Sequence, residues 1–146
     1  MQVTPYLCFE GRCEEALRFY GEAIGAKVEH LMRFKDAPPQ SAMSPDDGGA
    51  MPSSVTPDKV MHSSVRIGDS TIMASDGQCR GSASFDGIAL TLEARDDAHA
   101  EQLFTALSAG GQVQMPLTQT FFASRFGMLA DRFGVGWMVI SSPASS

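Results

Sequence analysis

The chain has 146 residues, of which 43% are hydrophobic and 19% are charged. These values are typical of one globular domain and exclude a disordered or fibrous chain. A formal net charge of −6 argues against nucleic acid and anionic membranes as partners, because both need a basic surface.

Three cysteines, Cys8, Cys13 and Cys79, are scattered and form no C-x-x-C pair. This pattern favours free thiols in a reducing compartment over a disulfide framework or a zinc knuckle. The first residues lack a basic start followed by an apolar core, and no apolar run reaches the roughly 20 residues that span a membrane. We therefore expect a cytoplasmic protein.

The first third of the chain predicts a strand, a helix and a second strand. Val3–Glu10 is apolar-rich with Pro5 near its start, which is typical of an edge strand. Cys13–Ile24 has apolar residues at helical spacing and is followed by Gly25, a common helix terminator. Its apolar stripe comprises Ala16, Phe19, Tyr20, Ala23 and Ile24. Lys27–Phe34 alternates charged and apolar side chains and predicts the second strand.

Residues 35–58 are the least regular part of the sequence. They contain five prolines among Ser, Asp and Gly: Pro38, Pro39, Pro45, Pro52 and Pro57. A loop of this length in a compact domain is uncommon and is often functional. A lid over a pocket and a variable surface loop are both consistent with it.

Residues 60–76 predict a hairpin with a two-residue turn at Gly68-Asp69. This turn places Ser64 opposite Met73 and His62 opposite Ser75. One predicted face is apolar and comprises Val65, Ile67, Ile72 and Ala74. The other is polar and comprises His62, Ser64, Arg66, Thr71, Met73 and Ser75.

The Gly/Ser-rich stretch 77–87 predicts a linker between a module of about residues 1–76 and a module of about residues 88–141. After it, Ile88–Leu92 alternates as a strand. Asp96 or Asp97 suits the N-cap of a helix that ends near Ser108. The apolar stripe of this helix comprises Ala100, Leu103, Phe104 and Leu107. Gly110-Gly111 ends it, and a short strand follows around Val113.

The last hairpin is predicted within Phe121–Ser141. Phe122, Ser124, Phe126 and Met128 form one alternating row, and Trp137 and Val139 form another. Asp131 opens and Gly134 closes a turn whose residue types suit type I geometry. Both halves of the chain therefore run strand, helix, Gly stop, strand and hairpin, which predicts an α+β fold of two βαβββ modules.

Several motifs in this order resemble a known family. They are PYLCFEGRCEEALRFY at 5–20, VMHSSVRI and IMASD within 60–76, and FASRFG and DRFGVGWMVI within 122–140. They resemble the PhnB-like branch of the glyoxalase/bleomycin-resistance/dioxygenase superfamily, also called the vicinal oxygen chelate fold. The resemblance implies two βαβββ modules that curl into a half-barrel around a cleft, in a homodimer.

In the metal-dependent members of that superfamily, ligands come from the first and last strands of each module. Carried over to this sequence, the positions fall at about Thr4 or Pro5, at about Gly87, near Met73 and at Met138. None of these is a ligand for a hard cation, and a thioether suits copper(I) better than iron, zinc or magnesium. We therefore expect no cofactor, with a divalent metal at a non-standard site as the alternative.

The PhnB-like branch has also been labelled a demethylubiquinone methyltransferase domain. A methyl donor such as S-adenosylmethionine usually needs a Gly-rich strand–helix turn in a parallel sheet, and residues 77–87 do not follow that pattern. We therefore do not expect methyl transfer.

His62 and Asp76 are the candidate catalytic residues. A His near a carboxylate suits a general base, and the same pair also suits two ligands of an incomplete metal site. A structural role at the sheet edge is the alternative, and strand alternation puts Asp76 on the opposite face from His62. Arg66 suits a clamp for a carboxylate or phosphonate, or a salt bridge within the domain.

The candidate ligand-binding residues combine aromatic, polar and Met side chains: Tyr6, His62, Ser64, Arg66, Phe122, Arg125, Trp137 and Met138. Core packing is the alternative for the aromatic residues. The sequence favours a small-molecule binding protein without the usual metal quartet. The alternatives are a metal-dependent or His-dependent enzyme of the lyase, isomerase or dioxygenase kind, acting on a small anionic or aromatic substrate, and an interaction scaffold.

Overall fold

The computed structural model describes residues 1–36, 57–77 and 83–142. The chain divides into two compact units, Met1–Ala83 and Ser84–Ser146, here called the first and second units. The lid or surface loop predicted at 35–58 falls almost wholly outside the described residues. Part of the predicted linker, residues 78–82 with Cys79 among them, falls outside them as well.

The described residues of the first unit form one α-helix and one four-stranded sheet. Its elements in chain order are β1 (Tyr6–Cys8), α1 (Cys13–Ile24), β2 (Lys27–Arg33), β3 (Val60–Ile67) and β4 (Ser70–Ser75). The strands lie in the order β1-β4-β3-β2. β1 runs parallel to β4, and the other neighbours are antiparallel. A short 3-10 turn, Phe34–Asp36, follows β2.

Helix α1 has the predicted bounds. Glu14 and Glu15 lie in its first turn, where the helix dipole favours negative charge, and Gly25 ends it with φ = 72°. The buried side chains are Cys13, Ala16, Leu17 and Tyr20. Leu17 therefore takes the place in the core that the predicted stripe gave to Phe19, which is half-buried.

The core of the first unit lies between α1 and one face of the sheet. Its strand residues are Leu7, Val60, Val65, Ile72 and Ala74. The predicted turn at Gly68-Asp69 and the pairing of Ser64 with Met73 are confirmed. Register shifts interrupt the pairing of β2 with β3 between Val28 and His30 and again after Met32.

The second unit repeats the order of the first. Its elements are β5 (Ala89–Ala94), α2 (Asp97–Ser108), β6 (Gln112–Thr118), β7 (Arg125–Ala130) and β8 (Gly136–Ser141). The strands lie in the order β5-β8-β7-β6, with β5 parallel to β8. The predicted α+β fold of two βαβββ repeats is confirmed.

Helix α2 is capped by Asp96, whose carboxylate accepts a hydrogen bond of 2.7 Å from the backbone N–H of His99. The four residues of the predicted stripe are its buried residues: Ala100, Leu103, Phe104 and Leu107. The helix packs on the sheet of its own unit. From the sheet, Leu129, Trp137 and Val139 complete this core.

The turn between β7 and β8 has the predicted residues. The backbone N–H of Gly134 donates to the carbonyl of Asp131 at 2.9 Å, and Gly134 adopts φ = 89°. One oxygen of the Asp131 carboxylate accepts from the N–H groups of Phe133 (2.8 Å) and Val135 (3.1 Å). This carboxylate therefore orders the turn from inside.

No helix in the described part of the chain is both long and apolar enough to cross a membrane.

Candidate functional site

The first unit has a sheet face that points away from α1. Leu7 is buried in the core, so strand alternation turns its neighbour Tyr6 to the other side. The register then places Tyr6 beside Met73, Met73 beside Ser64, and Ser64 beside His30 across the four strands. We call the residues Tyr6, His30, His62, Ser64 and Met73 the Tyr–His face.

Tyr6 and His62 are in direct contact on this face. The hydroxyl of Tyr6 lies 3.2 Å from Nδ1 of His62, and the two rings stack with centroids 5.7 Å apart and planes 28° apart. β4 lies between β1 and β3, so the two rings meet above β4. The ring of His30 follows at 6.5 Å from that of His62.

The Tyr–His face carries accessible side chains that can hydrogen-bond a ligand. Tyr6 is 45% exposed and His30 is exposed, while His62 is half-buried. The contact with Tyr6 occupies Nδ1 of His62, which leaves Nε2 as the ring nitrogen for another partner. Two imidazoles, a phenol and a Ser hydroxyl can hydrogen-bond a small molecule, and the stacked rings offer it an apolar surface.

Asp76 lies on the opposite side of the sheet from His62. It is 1% exposed, and its carboxylate accepts hydrogen bonds from the backbone N–H groups of Cys13 (2.7 Å) and Val60 (2.6 Å). Both carboxylate oxygens therefore accept hydrogen bonds on the side of the sheet that faces α1. The structure does not bring His62 and Asp76 together as a dyad, because strand alternation separates them.

Arg66 lies on the same face as Ser64, toward the Gly68-Asp69 turn. Its side chain is 53% exposed and its Nη1 lies 3.9 Å from a carboxylate oxygen of Glu29. This is a long, solvated ion pair, which holds Arg66 only weakly. The guanidinium remains accessible at the edge of the Tyr–His face.

Two of the candidate ligand-binding residues of the second unit lie on its α2 side. Trp137 is 1% exposed, and its Nε1–H donates to the carboxylate of Asp131 at 2.9 Å. Arg125 lies 3.8 Å from Asp97 and 3.8 Å from Glu101, both of α2. The sheet register therefore separates these residues from Met138, and Trp137 is buried in the core of the second unit.

Met138 belongs to a row of side chains on the other face of the second sheet. The register places Met138 opposite Met128, and Met128 opposite Met115, on three neighbouring strands. Phe126 lies two residues before Met128 on the same face. Its ring packs edge-on against that of Phe122, with centroids 5.1 Å apart. We call these residues, Met115, Phe122, Phe126, Met128 and Met138, the Met face.

The four positions of the superfamily's metal ligands do not carry hard donors. The backbone N–H of Met73 donates to the carbonyl of Pro5 at 2.9 Å, so two of the positions are neighbours, but their side chains are a thioether and a pyrrolidine. Within residues 1–36, 57–77 and 83–142, no group of three or more His, Cys, Asp or Glu is placed to hold a metal ion. The donor set does not fit a hard divalent cation.

A separate groove of about 340 Å³ lies at the start of α1. Its lining mixes acids and bases: Gly11, Arg12, Glu14, Glu15, Arg18, Asp58, Lys59 and Asp76. Glu14 pairs with Arg33, whose hydrogen bond lowers the pKa of that carboxyl. Arg12 forms an ion pair with Glu15 at 2.5 Å. Two carboxylates that line the groove are therefore neutralised by arginines in ion pairs.

Sequence reasoning missed His30 as a neighbour of His62, and it missed Met115 as a neighbour of Met128. In the pairing of β2 with β3, a register shift lies between Val28 and His30. In the pairing of β6 with β7, a register shift lies between Val113 and Met115. Strand alternation alone cannot locate such shifts. The high Met count of nine is a signal for a Met-rich surface, but it does not give the register.

The two βαβββ repeats define the class of protein. A solved glyoxylase/bleomycin resistance protein/dioxygenase domain from Frankia sp. EAN1pec superposes on the chain with a TM-score of 0.64 at 14% identity, over 100% of this chain and 95% of that one. The fold is therefore that of the glyoxalase/bleomycin-resistance/dioxygenase superfamily.

The family within this class follows from closer matches. The family model described as 3-demethylubiquinone-9 3-methyltransferase matches residues 1–140, and the chain belongs to this PhnB-like family. It is 35% identical over 141 residues to Protein YjdN of Escherichia coli (strain K12), covering 95% of this chain and 94% of that protein. The solved protein PA1353 from Pseudomonas aeruginosa is 39% identical with a TM-score of 0.78, over 97% of this chain and 98% of that one.

Proposed function

We propose that the protein binds a small anionic or aromatic molecule on the Tyr–His face. The stacked and hydrogen-bonded pair of Tyr6 and His62 carries this proposal. A partly exposed aromatic pair with polar tips is typical of binding surfaces, where ring faces supply contact area and polar atoms fix orientation.

The charged and polar groups around the pair favour an anionic ligand. Arg66 extends the same face, and its Nη1 lies 3.9 Å from a carboxylate oxygen of Glu29 in a long ion pair. His30 and His62 offer ring N–H groups that can donate hydrogen bonds to an anion. An aromatic carboxylate or phosphonate can therefore stack its ring on Tyr6 and direct its charge toward Arg66 or an imidazole.

We propose further that this binding does not need the metal quartet of the superfamily. The support is the set of residues at the corresponding positions, which is Thr4 or Pro5, Met73, Gly87 and Met138. Measurement of the metal content of the purified protein tests whether a metal ion is bound. Zinc, iron or manganese at about one ion per chain, lost in His62→Ala, would contradict the proposal.

Binding can be measured by thermal shift against carboxylates, phosphonates and aromatic compounds. A ligand present at about 100 times its dissociation constant adds about 2.7 kcal/mol to the free energy of unfolding. We expect Tyr6→Phe and His62→Gln to reduce this stabilisation. His99→Gln is the matched control, because His99 lies in α2 of the second unit. A panel with no stabiliser, or equal stabilisation of His62→Gln, would overturn the proposal.

A second candidate function is general acid–base catalysis by His62. The specific observation is that the hydroxyl of Tyr6 contacts Nδ1, because a fixed Nδ1 orients Nε2 for proton transfer. The test is turnover of a ligand found in the panel, followed by product analysis. Turnover that is lost in both His62→Gln and Tyr6→Ala would favour the enzyme over the binding protein.

The description of the family makes methyl transfer a further hypothesis for the chain. We do not favour it, because the described strands of each sheet are mostly antiparallel, with one parallel pair in each, β1 with β4 and β5 with β8. The parallel sheet of a nucleotide-binding fold is a different topology. Titration calorimetry with S-adenosylmethionine decides the point, since saturable binding would support methyl transfer.

A further inference from the structure

We propose that the Met face binds a soft monovalent metal ion, copper(I) or silver(I), through the thioethers of Met115, Met128 and Met138. This site lies in the second unit and does not depend on the function proposed for the Tyr–His face. The observation behind it is the register, which aligns three methionines on neighbouring strands β6, β7 and β8.

The register brings the three side chains within reach of one ion. Directly opposed residues of antiparallel strands have Cβ atoms about 4.5–5.5 Å apart on a shared face. A Met side chain is unbranched and flexible, so two sulfur atoms on the outer strands can approach the one on the central strand. Met128 is the central ligand, because it is opposed by Met115 on one side and by Met138 on the other.

The chemistry of the site selects the ion. Thioether sulfur is a neutral, soft ligand that suits copper(I) and not the harder zinc, magnesium or calcium ions. The positions that flank the row on this face are Phe126 with Ile140 on one side and Ala130 with Gly136 on the other. These four residues carry no hard side-chain ligand, whereas the register places Thr91 of β5, a residue with a neutral hydroxyl, beside Met138 at the end of the row.

The row is also accessible and lies in a protein that attracts cations. Met115 is 37% exposed, and Met128 and Met138 are half-buried. The net charge of −6 raises the local concentration of cations near the protein. An ion can therefore reach the sulfur atoms without local unfolding.

The test is silver(I) titration of protein with 13C-labelled Met methyl groups, followed by NMR. Silver(I) is a probe for copper(I) that needs no reductant. The background is Cys8→Ser with Cys79→Ser, since thiolates compete for soft ions. We expect three of the nine methyl signals to shift together and to saturate near about one ion per chain. Single Met→Leu variants, which conserve volume, assign the signals.

Affinity measurements on the variants complete the test. Even a change outside the ligand shell costs about tenfold or more in metal affinity, so we expect at least that loss in Met128→Leu. Met61→Leu, in β3 of the first unit, is the matched control and should bind silver(I) like the parent. No shift of the three signals, an equal shift of all methionine signals, or an unchanged affinity of Met128→Leu would overturn the proposal.

Discussion

The carboxylate of Asp76 accepts a hydrogen bond of 2.7 Å from the backbone N–H of Cys13, which joins the residue after β4 to the first residue of α1. The second carboxylate oxygen accepts from the N–H of Val60 at the start of β3. One buried side chain therefore connects three elements of the first unit. These contacts give the Asp directly after β4 a structural role.

Asp76→Asn should destabilise the protein by about 3 kcal/mol, because an amide cannot accept from both buried N–H groups and an unpaired buried donor costs about 1–3 kcal/mol. Urea unfolding followed by circular dichroism measures the change. Asp69→Asn, in the exposed turn between β3 and β4, is the matched control and should stay within about 0.5 kcal/mol of the parent. Equal stability of the two variants would contradict the structural role of Asp76.

In the second unit, Trp137→Phe should cost about 2 kcal/mol. The change removes the indole N–H that donates to Asp131 at 2.9 Å and part of a buried ring. A double-mutant cycle with Asp131→Asn should give a coupling energy of about 1 kcal/mol, because the two groups are in contact. Phe122→Leu, at an exposed aromatic residue, serves as the comparison. Additive effects of the two substitutions would show that the hydrogen bond contributes nothing.

The helices and the first hairpin could be predicted from sequence because local rules determine them. All four residues of the predicted stripe of α2 are buried, since the helix covers its own sheet and 3.6-residue spacing selects one side. The Gly68-Asp69 turn fixed the pairing of Ser64 with Met73. In α1, however, Leu17 is buried and Phe19 is not, because the position of the sheet decides which edge of the stripe is covered.

The candidate site was predicted less completely, because it depends on non-local register. Tyr6 and His62 were both candidates, but nothing local to β1 or β3 predicts that their rings meet across β4. His30 joins them only through the register shift in β2. Arg125 lies on the α2 side because its partners Asp97 and Glu101 lie there, and sequence spacing does not predict those contacts.

Tyr6→Phe should change the tautomer balance of His62. The phenol hydroxyl lies 3.2 Å from Nδ1, and a hydrogen-bond partner at one ring nitrogen favours one of the two neutral forms. Long-range 15N–1H NMR of the imidazole nitrogens measures that balance. We expect altered 15N shifts for His62 and unchanged shifts for His99. Unchanged shifts for His62 would show that the two residues are not hydrogen-bonded in solution.

Cys8 and Cys13 should differ in reactivity toward iodoacetamide. Burial, and then the nearby charge of Asp76, raise the pKa of Cys13 to about 12, so its thiol stays neutral at about pH 8 and reacts slowly. Cys8 is exposed. Peptide mapping of the native protein should find Cys8 alkylated and Cys13 protected, whereas protein unfolded in urea should be alkylated at both. Equal labelling in the native protein would contradict the buried position of Cys13.

Asp97, the first residue of α2, should make the stability of the protein depend on pH. Hydrogen bonds from the hydroxyls of Ser124 (2.5 Å) and Ser141 (2.7 Å) lower the pKa of Asp97 below the ordinary value of 3.8, with Ser124 the larger cause. A carboxyl with a lower pKa when folded binds fewer protons in the folded state. Its contribution is therefore complete above the unfolded pKa and is lost as the pH falls through the folded pKa.

The free energy of unfolding of the parent should fall as the pH falls from about 5 to about 2. We expect it to fall less in Asp97→Asn, which lacks the titrating carboxyl. Urea unfolding midpoints across that range measure the slope for parent and variant. Asp86→Asn is the matched control, since Asp86 lies exposed before β5 and its removal should leave most of the slope in place. A slope in Asp97→Asn equal to that of the parent would show that the hydroxyl contacts do not stabilise the ionised carboxylate in solution.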